Sequence, residues 1–90
     1  MKPSWGVEFD DRARRELRKL DKHDQHDILR FLRERISTGQ NPRRFGKALG
    51  GDRWGLWRYR VGDYRIICRI EGHRLMVLVV HVGHRKNVYK

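Results

Sequence analysis

The sequence predicts an α+β fold: an N-terminal strand, a helical hairpin, then a three-stranded antiparallel meander, with the helices on one face of the sheet. Three observations predict it. Apolar residues recur at helical spacing up to residue 38 and at strand spacing from residue 54 onward. The dipeptides Gly62-Asp63 and Gly72-His73 cut the second half into strand-length pieces. Ninety residues suffice for one small domain, residues 1–90, with no room for a second.

Trp5-Gly6-Val7-Glu8-Phe9 alternates apolar and other residues and reads as the first strand. Asp10 and Asp11 offer a cap for a helix over residues 11–20, where Ala13, Leu17 and Leu20 form one apolar stripe. Asp21 or Asp24 caps a second helix. Its core face is Ile28, Leu29, Leu32 and Ile36, with Phe31 beside it and Gly39 as the stop. Residues 40–53 carry Asn41-Pro42, Gly46 and Gly50-Gly51 and read as a loop, anchored by Phe45 and Leu49. Three strands follow, Trp54 to Val61, Tyr64 to Glu71 and Arg74 to Val82. The unbroken run Leu75-Met76-Val77-Leu78-Val79-Val80 suits a central strand covered on both faces.

Charge separates along the chain. The formal net charge is +11, and sixteen of the 22 bases are arginine. Residues 1–38 hold ten Lys/Arg and eight Asp/Glu, whereas residues 39–90 hold twelve and three. The second part is therefore an anion-binding surface, and the balance implies a polyanionic or acidic partner. A single cysteine excludes an intrachain disulfide and a Cys-based zinc site. The absence of a long apolar run and the polar N-terminus predict a cytoplasmic chain with no membrane association.

The informative stretch is Trp57-Arg58-Tyr59-Arg60-Val61-Gly62-Asp63-Tyr64-Arg65. Alternation puts Arg58 and Arg60 on one side of their strand, and a Gly62-Asp63 turn puts Arg60 opposite Arg65. Like charges across a strand pair destabilise it, so such a patch calls for an anion, and arginine grips phosphate bidentately. Asp63 and Glu71 are too few to neutralise Arg58, Arg60, Arg65, Arg69 and Arg74. Trp57 and Tyr59 suit core packing better than base stacking. Cys68 reads as a small buried hydrophobe. His81 and His84 lie three apart, but their cationic surroundings argue against a metal. Neither metal nor cofactor is expected. His84 instead suits proton transfer, and Tyr89 beside arginines suits a base or a stacking ring.

Leu56-Trp57-Arg58-Tyr59-Arg60-Val61-Gly62-Asp63-Tyr64-Arg65-Ile66-Ile67 resembles the central signature of the RelE/ParE toxin superfamily. Val82-Gly83-His84-Arg85-Lys86-Asn87-Val88-Tyr89 resembles the C-terminal signature of its RelE branch. The resemblance implies a toxin of a type II toxin–antitoxin pair. Such toxins enter the A site of the ribosomal 30S subunit and cut mRNA there, by metal-free attack of the 2′-hydroxyl on the adjacent phosphate. The implied partners are a RelB-like antitoxin, the ribosome and mRNA. Carried over, Arg65 resembles the arginine that grips the scissile phosphate. Arg85 resembles the one tied to phosphate contact and leaving-group protonation, and Tyr89 the tyrosine that orients or deprotonates the nucleophile. Arg58, Arg60 and Lys86 add phosphate-binding charge. The prototype's strand lysines are replaced here by Leu56 and Arg58. Arginine does not readily release a proton, which leaves Tyr89 or His84 as the base. The competing implication is a ParE-like inhibitor of DNA gyrase without nuclease activity.

Overall fold

The computed structural model describes residues 3–86. Strand β1 (Gly6–Phe9) runs into helix α1 (Asp11–Arg18), where Asp10 is the cap and accepts from the Ala13 N–H at 2.8 Å. Helix α2 (Lys22–Phe31) is capped by Asp21, which accepts from the Asp24 N–H. The Gln25 side-chain amide donates to the Leu20 carbonyl and braces the corner between the helices. Strands β2 (Lys47–Ala48), β3 (Trp57–Val61), β4 (Tyr64–Glu71) and β5 (Met76–His84) complete the order.

The sheet has five strands, ordered β1-β5-β4-β3-β2. β3, β4 and β5 form the expected antiparallel meander. The sheet exceeds the expectation in two ways: β1 pairs parallel to β5, and the two-residue β2 pairs with β3. The Gly62-Asp63 turn is as read, with Gly62 at φ +59° and Val61 facing Tyr64.

Several boundaries move, each for a local reason. α1 ends at Arg18 rather than residue 20. The second helical segment does not stop on Gly39. It closes with a π-type turn over Leu32–Ile36, in which the Ser37 N–H reaches the Leu32 carbonyl at 2.8 Å. The Ser37 hydroxyl then donates to the Trp5 carbonyl, and the Trp5 N–H to the Thr38 carbonyl, so the helix end is stitched to the entrance of β1. β3 starts at Trp57 rather than Trp54, because a 3-10 turn over Gly51–Arg53 and Gly55 at φ +92° keep the preceding residues out of the sheet. Gly72-His73 is not a two-residue turn. Gly72–Arg74 forms a 3-10 turn and Leu75 adopts φ 51°, so β5 begins at Met76.

The core joins Ala13, Leu17, Ile28, Leu32 and Ile36 to Tyr59, Ile66, Cys68, Val77, Val79 and Val82. Leu29, expected in that core, is 42% exposed. The helices cover one sheet face only, which corrects the expectation that the third strand is covered on both. The β4–β5 register slips once: Ile67 faces His81, but Cys68 faces Val79. Val80 is therefore a one-residue bulge. Val77 and Val79 before it and Val82 after it all reach the core, while Leu78, Val80 and His81 line the other face.

Candidate nucleic-acid interface

Alternation along the β3–β4 hairpin divides aromatics from arginines. Trp57, Tyr59, Tyr64 and Ile66 face the helices. Tyr59 is fully buried and its hydroxyl donates to the Pro42 carbonyl at 2.8 Å; burial pushes the phenol well above its usual range. Trp57 Nε1 donates to the Phe45 carbonyl at 2.7 Å. Both are structural, as read from the sequence. Arg58, Arg60, Arg65, Ile67 and Arg69 consequently point to the open face.

On that face the side chains form rows across three strands. Arg58, Ile67 and His81 make one row; Arg60, Arg65 and Gly83 make the next. Arg58 is half-buried, Arg60 is exposed, and Arg65 is 9% exposed. Gly83 adds no side chain beside Arg65. The row of Arg58 borders a cleft of about 370 Å³, walled by Asp10 and Arg12 from the start of α1, Arg53 and Leu56 from the loop before β3, and Arg69 from β4. Ile67, Leu78, Val80 and His81 complete its lining. Three arginines against one carboxylate make this cleft cationic. The two acids of the hairpin region are engaged elsewhere: Glu71 is 2.7 Å from Arg74, and Asp63 lies 4.0 Å from Arg85.

Arg85 lies one residue past β5, and its N–H donates to the Asp63 carbonyl at 2.8 Å, so it flanks the β3–β4 turn two residues beyond Gly83. Lys86 is exposed, and its N–H donates to His84 Nδ1 at 3.2 Å. His84 is opposite Tyr64 and packs edge-on to that ring at 5.8 Å, on the helix-facing side. It shares a cavity with Asp24, Asp27 and Asp63 and is not brought together with Arg58, Arg60 and Arg65. Tyr89 lies outside the described residues.

Sequence reasoning missed Glu16 and the role of His81. Glu16 Oε accepts from Val82 N–H at 2.9 Å and lies 2.8 Å from His81 Nδ1 and 3.3 Å from Arg12 Nε. Burial alone would raise this carboxyl. The hydrogen bonds from Val82 and His81 and the charge of Arg12 outweigh it and hold the group below its ordinary value. In the sequence Glu16 is one more polar residue on a mixed-charge helix, and no local signal separates it from its neighbours. Among the described residues, no group of three or more His, Cys, Asp or Glu side chains could hold a metal ion. No helix among them is long and apolar enough to cross a membrane. Cys68 is fully buried, and burial drives its thiol far above the usual range.

Chains of solved toxin–antitoxin complexes have this two-helix, five-stranded mixed fold, and a family model assigns the chain to a class of such toxins. A family model described as "ParE toxin of type II toxin-antitoxin system, parDE" matches residues 7–89, and the chain belongs to this RelE/ParE superfamily. It is 32% identical to toxin RelG of Mycobacterium tuberculosis over 86 residues, covering 96% of this chain and 97% of that protein. It resembles a chain of the M. tuberculosis RelBE2 toxin–antitoxin complex with a TM-score of 0.84 at 30% identity, over 97% of this chain and 98% of that one. The E. coli RelBE complex shares the fold, with a TM-score of 0.70 at 22% identity over 89% and 95%.

Proposed function

We propose that this toxin is a RelE-type, ribosome-dependent endoribonuclease that cuts mRNA in the A site and so stops translation. One observation carries the reading: Arg58, Arg60 and Arg65 are gathered on one sheet face, the one opposite the helices, with Gly83 beside Arg65. Like charges so placed repel one another, and a phosphodiester backbone relieves that repulsion.

The chemistry asks little covalent work of the protein, because the nucleophile belongs to the substrate. The 2′-oxygen gives up its proton and forms a bond to phosphorus, while the bond from phosphorus to the 5′-oxygen breaks and that oxygen gains a proton. The products are a 2′,3′-cyclic phosphate and a 5′-hydroxyl. Arg65 holds the scissile phosphate, and Arg58 and Arg60 stabilise charge on the phosphorane. Arg85 and Lys86, flanking the turn, neutralise the leaving side of the RNA, and Arg85 donates a hydrogen bond to the departing 5′-oxygen. Tyr89 orients or deprotonates the 2′-hydroxyl. His84, on the other sheet face, is assigned only a supporting role through its packing against Tyr64.

The proposed partners are a RelB-like antitoxin, the 30S A site and mRNA, in the cytoplasm. The M. tuberculosis RelBE2 and E. coli RelBE neighbours are toxin–antitoxin complexes, which supports an antitoxin here too. A balance of twelve bases to three acids over residues 39–90 favours an acidic segment of that antitoxin. Primer extension on mRNA after brief expression tests the activity, and cuts at regular codon positions are expected. Arg85→Ala combined with Tyr89→Phe is expected to abolish them with ribosome binding largely kept. Unchanged cleavage refutes the assigned site. The matching family model is described as a ParE toxin, which favours the competing reading that the resemblance implies, inhibition of DNA gyrase without nuclease activity. Intact ribosome-bound mRNA together with arrested supercoiling would establish that reading instead.

A further inference from the structure

Of the three tryptophans, Trp5 is buried and Trp57 half-buried, but Trp54 is 85% exposed. A lone exposed apolar side chain is ordinary on a protein surface. What sets Trp54 apart is how it is held and what adjoins it. We infer that Trp54 is a stacking platform for an unpaired base of the mRNA, on a nucleotide flanking the cut. The inference rests on the nuclease reading above, and it adds to the arginines that grip phosphate a residue that holds a base.

Three observations support it. The first is that the backbone carrying the ring is fixed. Arg53 N–H donates to the Gly50 carbonyl, Trp54 N–H to the Gly51 carbonyl and Leu56 N–H to the Arg53 carbonyl, each at 3.1 Å. Leu49 N–H closes the loop on the Leu56 carbonyl at 3.0 Å. Gly51 at φ +59° and Gly55 at φ +92° supply the left-handed conformations these turns need. An indole has only two side-chain torsions, so stacking on a ring held this way orders little that the fold has not ordered already.

Second, Trp54 walls a cleft of about 250 Å³ together with Ala48, Leu49, Leu56, Trp57 and Arg43. The apolar walls suit the flat body of a base. Arg43 is exposed beside them and offers a second flat surface, since bases stack on guanidinium planes as well as on aromatic rings.

Third, this cleft adjoins the cationic one. Leu56 borders both. Residues 40–60 hold six Lys/Arg and one acid, Asp52. A polyanion drawn to the arginine face therefore passes Leu56 on its way to the indole. Leu56 precedes Arg60 by four residues, roughly 13 Å of strand, so the base on Trp54 belongs to a flanking nucleotide and not to the reacting one. A tryptophan that anchors a protein partner is typically ringed by contacts that exclude water. The chain neighbours of Trp54 are Gly51, Asp52, Arg53 and Gly55, a polar rim that suits a base whose edges stay hydrated. Trp54 is thus a positioning residue for the RNA and touches no reacting atom.

The test is binding of the purified toxin to two fluorescent oligonucleotides of equal length, one an adenosine–uridine strand and one abasic with the same phosphates. The wild type is expected to bind the base-bearing strand more tightly. Trp54→Ala is expected to lower that affinity roughly 5- to 100-fold and to leave affinity for the abasic strand unchanged. The slope of log affinity against log salt should also stay the same, since an indole neutralises no phosphate. Trp54→Phe should restore most of the loss. Both variants should melt with the wild type, because the ring lies in solvent. On programmed ribosomes, Trp54→Ala should need correspondingly more toxin to reach half its maximal single-turnover rate, with the maximum kept. Cleavage by the wild type decides the nuclease reading separately. A wild type that does not distinguish the two strands, or a Trp54→Ala loss equal on both, overturns the platform. Unchanged affinity of Trp54→Ala for the base-bearing strand also overturns it and leaves the indole for a protein surface. A loss on ribosomes without mRNA as large as on programmed ones gives the base to ribosomal RNA and overturns the mRNA assignment.

Discussion

Arg60 on β3 and Arg65 on β4 are register partners across the hairpin, two guanidinium groups directly opposed on one sheet face. Sheet pairs of like sign oppose folding, by roughly 0.2–1 kcal/mol. The protein tolerates this where Arg65 is almost fully covered and Arg60 open to solvent.

Arg60→Glu therefore separates stability from function. The substitution replaces a repulsive pair with an attractive one and is expected to raise the melting temperature by about 1–6 °C. It should also weaken binding to a short single-stranded RNA. The slope of log affinity against log salt should become shallower by ~0.7 for each phosphate that is no longer neutralised. Calorimetry and a salt titration of fluorescence anisotropy measure the two effects. A variant that binds RNA as tightly as the parent contradicts the phosphate-binding face.

Gly46, packed against the backbone of β3, offers a second test. It sits at φ +74°, and a Cβ there would collide with the Arg58 carbonyl. That neighbour is backbone of β3 and cannot move without shifting the arginine row. Gly46→Ala is expected to cost about 2–4 kcal/mol, read as a lower urea midpoint.

Acid should destabilise the fold partly through Glu16. Its carboxyl is held below the ordinary 4.5, so the native state binds this proton less readily than the unfolded chain. The stabilisation is complete above that ordinary value and is lost as pH falls through the lower native one. Urea midpoints measured from pH 7 to 3 should therefore fall in this region. Glu16→Gln should start lower at neutral pH and show a shallower decline.

Cys68 should be chemically silent in the native protein. It is fully buried, with a thiol that burial disfavours as thiolate. An aromatic disulfide reagent is expected to leave it untouched under native conditions and to titrate one thiol in guanidinium chloride.

Much of this was readable in the residues because it depends on short-range pattern. Alternation alone sent Arg58 and Arg60 one way and Tyr59 the other, and Gly62 marked the turn that brings Arg65 across. Asp10 and Asp21 announced their helices for an equally local reason. What escaped depends on pairings distant in sequence. The pairing of β1 with β5 joins Gly6–Phe9 to Met76–Val79, and no residue in either segment encodes the other's register. Glu16 reaches His81 across 65 positions. Leu29 carries the right spacing for the core but lies at its margin, in a cavity it shares with Val7 and Phe9, and is 42% exposed. His84 lies on the Tyr64 side because strand parity separates it from Arg65, a consequence visible only once the register is known.

The supernumerary Val80 divides β5 into two halves of opposite parity. Odd-numbered Val77 and Val79 turn inward before it, and even-numbered Val82 turns inward after it. Removing that one valine would restore strict alternation, with His81 still outward and Val82 still inward. A sister toxin one residue shorter at this point can thus present the same working surface. Matching such chains by simple residue count, without a gap placed on the valine, would misassign every position from the histidine to the C-terminus.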